Sequence, residues 1–129
     1  MNKRILIVDD ENYIRLLLHR TLEDLEFEGV SIHFAEDGIE GRDMARALKP
    51  DLVFLDMMMP GLSGAEVCQI IRRDPELAGT HVIILTAKGQ LPAFPPDAAP
   101  HEYMTKPFDP DQIVSRAAAV LDIDLDFEL

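Results

Sequence analysis

Cysteine occurs once, at Cys68, so no disulfide can form within the chain, and a reducing compartment is expected. Basic residues are scarce: Lys and Arg number 12 against 24 Asp and Glu, a formal charge of −12. Nucleic-acid backbones and anionic membranes both attract clustered Lys and Arg, so neither partner class is expected here. A divalent cation or a basic protein surface fits better. Long hydrophobic runs are missing too. The first ten residues, MNKRILIVDD, hold only four apolar residues in a row before two aspartates. That is too short for a signal-peptide core or a membrane span. The four histidines (His19, His33, His81, His101) are scattered and form no zinc pattern with Cys68.

What is present is a length of 129 residues, the size of one domain, with 47% apolar residues, enough for a packed core. Three continuous apolar runs stand out: Ile5–Val8, Leu52–Leu55 and Val82–Leu85. Continuous rather than alternating runs are how strands buried on both faces of a parallel sheet read. Ser31–Ala35 and Glu102–Thr105 are weaker strand candidates. Helical spacing relates Ile14, Leu17, Leu18, Leu22 and Leu25, then Gly41, Met44, Ala45 and Leu48. It also relates Val67, Ile70 and Ile71, and finally Ile113, Val114, Ala117, Ala118 and Leu121. Asp37-Gly38 reads as a turn before the second helix. Capping boxes are expected at Ser63–Glu66 and Asp109–Gln112, with Pro110 at the first helical position. The alternation predicts an α/β fold: a doubly wound, five-stranded parallel sheet with helices on both faces.

One interval breaks the rhythm. Pro92, Pro95, Pro96 and Pro100 crowd residues 92–100. An interior proline costs a helix about 3 kcal/mol, so the helix between the fourth and fifth strands is predicted to be short or missing. Leu91, Phe94 and Ala98 are expected to pack where it would lie. Residues 1–121 are expected to form the domain. Residues 122–129, Asp122 to Leu129, form an acidic and apolar tail whose period of two fits a docking strand or a linker remnant.

In an open parallel sheet, reactive groups gather beyond the carboxyl ends of the strands. The first run ends in Asp9-Asp10, the third strand in Asp56 and the fourth in Thr86, and Lys106 follows the fifth. A single Asp at such a place often only caps the next helix. Three carboxylates in one hollow are another matter. Two charges ~4 Å apart at an effective dielectric of ~20 interact by ~4 kcal/mol. Such a cluster needs a cation, a raised pKa or both. Oxygen ligands suit Mg²⁺, or Mn²⁺, rather than zinc. A carboxylate beside a divalent ion, an ammonium and a hydroxyl is equipped to accept a phosphoryl group as an acyl phosphate.

At these residues the chain resembles the bacterial response regulator receiver domain, a flavodoxin-like fold, over nearly its whole length. The matching stretches are ILIVDDE, DLVFLDMMMPGLSG, VIILTA and YMTKPF, in that order. The resemblance implies that Asp56 is phosphorylated and that Thr86 and Lys106 contact the phosphoryl oxygens. It implies that Asp9, Asp10, Asp56 and the carbonyl of Met58 hold Mg²⁺, and that the Lys106-Pro107 bond is cis. Thr86 and Tyr103 would form the switch. Met58 and Lys88 would flank the phosphoryl group. Met58 cannot orient a water by hydrogen bonding, so spontaneous dephosphorylation is not expected to be fast.

The implied function is a signalling module of a two-component system rather than a turnover enzyme. Its partners would be a sensor histidine kinase or phosphotransfer protein and a downstream protein target, in the cytoplasm, with dimerisation left open. Two alternatives are an aspartate-nucleophile phosphohydrolase and a receiver-like scaffold that is never phosphorylated. The first usually carries Asp-x-Asp after its first strand, and this chain has Asp9-Asp10-Glu11. The second usually loses acidic residues or the lysine, and this chain keeps them. Cys68 is expected to be a small core residue, Met58 either a functional residue or gap-filling bulk, and Tyr103 either a switch or a half-buried strand-end side chain.

Overall fold

A computed structural model describes residues 2–87 and 93–125. Five strands form one parallel sheet: β1 (Lys3–Val8), β2 (Val30–Ala35), β3 (Leu52–Asp56), β4 (His81–Ala87) and β5 (Glu102–Lys106), in the order β2-β1-β3-β4-β5. Among the described residues four α-helices connect or follow them: α1 (Asn12–Leu22), α2 (Gly38–Leu48), α3 (Gly64–Arg73) and α4 (Pro110–Leu121). Each central strand sends alternate side chains into two separate cores. Ile5, Ile7, Leu52, Phe54, Ile83 and Leu85 pack with Leu18 and Leu22 of α1 and with Ile113, Ala117 and Leu121 of α4. Leu6, Val8, Val53, Leu55, Val82 and Ile84 pack with Ala45 of α2 and with Val67, Cys68 and Ile71 of α3. Both faces are dry, so the central strands carry no polar alternation. Each fully buried Leu or Ile side chain contributes about 1.5–3 kcal/mol.

Local signals set the boundaries. Asp37 caps α2 by accepting the Glu40 N–H at 2.8 Å, and Ser63 and Glu66 form a full capping box on α3. The second expected box is different. Asp109 accepts the Asp111 N–H at 2.9 Å, one residue earlier than a box requires, with Pro110 in the first turn. Leu25 keeps its buried place but not in α1, which ends at Leu22. A 3₁₀ segment, Glu23–Glu28, carries it and stops at Gly29, whose φ of 85° only glycine adopts readily.

Between β4 and β5 the described residues hold a single 3₁₀ turn, Pro96–Ala98. The prolines deny a longer helix its N–H donors. Ala98 is fully buried and Phe94 packs against the α2–α3 core, as expected. Leu91 and Lys88 lie outside the described residues, as do 126–129 of the tail. Ile123 and Leu125 pack against the α1–α4 core.

Candidate functional site

The strand order reverses between β1 and β3, so their carboxyl ends open a crevice. Asp9 directly follows β1, held in register by its N–H on the Ala35 carbonyl at 3.2 Å. One carboxylate oxygen, Oδ1, accepts the Glu11 N–H at 2.9 Å at the start of α1, and the Asp9 carbonyl accepts Arg15 Nη1 at 2.7 Å. Asp9 therefore does not cap α1, whose N-cap residue is Glu11; its Oδ1 closes a local turn ahead of the helix, which uses only half of this carboxylate. The other oxygen, Oδ2, meets Lys106 Nζ at 3.2 Å. Asp56 closes β3, 5% exposed, and its Oδ1 accepts from the same ammonium at 2.9 Å. Asp9, Asp10 and Asp56 each bring a carboxylate oxygen to within 4.8 Å of the others. With Glu11, Met57, Met58 and Ala87, residues Asp10, Asp56 and Lys106 line a cavity of about 440 Å³.

The electrostatics follow from the packing. Burial raises the Asp56 pKa; the Lys106 hydrogen bond opposes this, and the charges of Asp9 and Asp10 add to it. Burial pulls the Lys106 ammonium down, but its hydrogen bonds to Asp56 and Asp9 and their charges more than offset that, so its pKa is raised. Three carboxylates against one ammonium leave an excess of two negative charges in the hollow. The donor set is hard oxygen, with no thiolate or imidazole in the cluster, which fits a divalent cation of the Mg²⁺ type.

Thr86 is 1% exposed near the end of β4, one position beyond Leu85, the register partner of Asp56. Tyr103 of β5 is exposed, with its ring 6.2 Å from that of Phe94. The Lys106-Pro107 peptide is cis. Met58 is 68% exposed at the cavity, so its reading as gap-filling bulk is wrong; the backbone after β3 turns its side chain to solvent while Met57 and Met59 enter the core. Cys68 is fully buried.

Two supports were not singled out from sequence. Arg15 holds the Asp9 carbonyl across one helical turn. Gly64 donates its N–H to the Met57 carbonyl at 2.9 Å and lies so close that any Cβ would collide with the Asp56 carbonyl. The glycine of the GLSG stretch was the available signal, but only the close approach of α3 to β3 gives it meaning.

The response regulator receiver domain model matches residues 5–118. The DNA-binding dual master transcriptional regulator RpaA of Synechocystis is 41% identical over 122 residues, covering 92% of this chain and 48% of that protein. Response regulator MprA of Mycobacterium bovis is 37% identical over 123 residues, covering 94% of this chain and 51% of that protein. The chain thus spans about half the length of these curated relatives. Among solved structures, the signal receiver domain of a DNA-binding response regulator from Colwellia psychrerythraea superposes with a TM-score of 0.79 at 26% identity, covering 94% of this chain and 99% of that one. Chemotaxis response regulator CheY4 of Vibrio cholerae shares the fold, with a TM-score of 0.76 at 24% identity over 93% of this chain and 99% of that one. The sheet order, the acidic hollow and these matches agree, and the chain belongs to the response regulator receiver domain family.

Proposed function

We propose that Asp56 accepts a phosphoryl group from a phosphohistidine of a sensor histidine kinase or phosphotransfer protein. The observation that carries this reading is the meeting of Asp9, Asp10 and Asp56 carboxylates beside one shared ammonium, Lys106. Asp56 Oδ attacks phosphorus, the bond to the donor imidazole breaks, and an acyl phosphate forms on Asp56. Lys106 offsets charge on the phosphoryl oxygens, and the Thr86 hydroxyl hydrogen-bonds another of them. Asp9, Asp10, Asp56 and the Met58 carbonyl would hold Mg²⁺, or Mn²⁺. That ion supplies neutralisation of the phosphoryl charge when bound. Raised pKa notwithstanding, Asp56 must be ionised to attack, and the Lys106 hydrogen bond favours that form.

Thr86 and Tyr103 are the proposed switch, read by a protein target. RpaA is named as DNA-binding, but a charge of −12 argues for protein partners of this chain rather than direct nucleic-acid contact. No helix among the described residues is long and apolar enough to cross a membrane, which is compatible with work in the cytoplasm.

The test is phosphoryl transfer from acetyl phosphate with Mg²⁺. The wild type should take up one acid-stable, base-labile phosphoryl group, and Asp56→Asn none, with its circular dichroism unchanged. Labelling of Asp56→Asn at another residue would overturn the assignment. Multiple turnover of small phosphate esters would favour a phosphohydrolase instead.

A further inference from the structure

Met58 lines the pocket with a side chain that takes no part in the phosphoryl transfer proposed above. The chain has six methionines and one cysteine. Among the described sulfurs, exposure divides them sharply. Met58 is 68% exposed, whereas Met57, Met59 and Met104 are 7%, 9% and 4% exposed, and Met44 packs against the α2–α3 core. Cys68 is fully buried, its Sγ 3.7 Å from the Ala98 carbonyl. Burial pushes that thiol up to about 11, so at neutral pH it offers almost no thiolate to an oxidant. Among the described sulfurs, oxidant arriving from solvent therefore finds the Met58 thioether first. Met58 is one of the residues that line the cavity shared by Asp10, Asp56 and Lys106.

We propose that Met58 is an oxidation site of the acidic pocket, modified by hydroperoxides to the sulfoxide. A sulfur lone pair attacks one peroxide oxygen, the S–O bond forms and the O–O bond breaks. Sulfur is oxidised by two electrons, and hydrogen peroxide is reduced to water. A reductase acting on methionine sulfoxide reverses the change. The consequence for the pocket rests on the phosphoacceptor reading above. A thioether is a poor hydrogen-bond acceptor, whereas a sulfoxide oxygen is a good one. At this position it holds a water beside the phosphorylated Asp56, so oxidation shortens the life of the acyl phosphate.

The test treats the full chain, with Mg²⁺, with limiting hydrogen peroxide and maps oxygen uptake by peptide mass spectrometry. Met58 should be oxidised at least about tenfold faster than Met44, Met57, Met59 or Met104. Equal rates, or a slower Met58, would overturn the site. Peroxide-treated and untreated chains are then loaded from acetyl phosphate and followed through decay. The treated wild type should lose its phosphoryl group about three- to tenfold faster, since orienting a water is a modest form of base assistance. Met58→Leu should decay at one rate with or without peroxide, and sulfoxide reductase should restore the wild-type rate. Unchanged decay in a chain oxidised at Met58 would overturn the regulatory half. Failure of the untreated wild type to take up phosphoryl would instead remove the phosphoacceptor reading, while the map of oxygen uptake would still judge the site.

Discussion

Lys106 Nζ lies 2.9 Å from Asp56 Oδ1 and 3.2 Å from Asp9 Oδ2, so one ammonium from β5 bridges a carboxylate of β3 and one that follows β1. It is the cation that holds the two like charges together. Lys106→Ala should leave Asp56 and Asp9 facing each other uncompensated and push the Asp56 pKa higher still. Removing a preorganised charge partner of the reacting group should slow phosphorylation by about 10²–10³-fold. Time courses with acetyl phosphate, beside a carboxyl titration followed by NMR, check both. Wild-type rates in Lys106→Ala would remove the lysine from the reaction.

Mg²⁺ should stabilise the folded chain, because the unfolded chain does not assemble the three carboxylates. At a concentration about 100 times Kd, the gain is ~2.7 kcal/mol. For a domain of this size that raises the thermal midpoint by several degrees. Asp10→Asn should abolish most of the rise while folding normally. If Asp10→Asn gains as much as the wild type in a Mg²⁺ titration, Asp10 is not a ligand.

His101 should make stability depend on pH. Its Nδ1 accepts the Val82 N–H at 2.9 Å, and its ring stacks on His81 at 4.4 Å. Burial, then the charges of His81 and Arg72, lower its pKa against the opposing pull of Glu102. The folded state thus disfavours the imidazolium. The contribution is whole above the unfolded value of about 6.5 and is lost as pH falls from there towards the lowered folded value. Urea midpoints of the wild type should drop between neutral and mildly acid pH, and those of His101→Gln should drop less. Parallel profiles would show that another group sets the trend.

Gly64 and Gly79 should respond oppositely to alanine. A Cβ on Gly64 would collide with the Asp56 carbonyl and come within 2.8 Å of Met57 Cα, both backbone atoms that cannot swing aside. Gly64→Ala should cost about 2–4 kcal/mol and displace Asp56, slowing phosphorylation as well. Nothing lies within 4 Å of a Cβ on Gly79, so Gly79→Ala should stay within about 0.5 kcal/mol of the wild type. Denaturant unfolding of both variants decides it.

The sheet and its reactive edge were legible in the chain because they rest on local patterns. Ile5–Val8, Leu52–Leu55 and Val82–Leu85 are continuous because both faces of those strands are dry, and that demand shows in the sequence itself. The prolines near Phe94 likewise announce a shortened helix, which among the described residues is the single turn Pro96–Ala98, by removing donors one residue at a time. Asp9, Asp10, Asp56, Thr86 and Lys106 could be picked out because strand ends in such a sheet share one edge.

Distances and exposure belonged to the fold alone. That Asp9 divides its two oxygens between the Glu11 N–H and Lys106 depends on β1 and β5 being brought together across β3 and β4. That Met58 faces water while Met57 and Met59 do not depends on how the chain leaves β3. Three identical side chains in a row carry no local difference to read. Only packing, which acts between residues far apart in the chain, gives each of them a different neighbour.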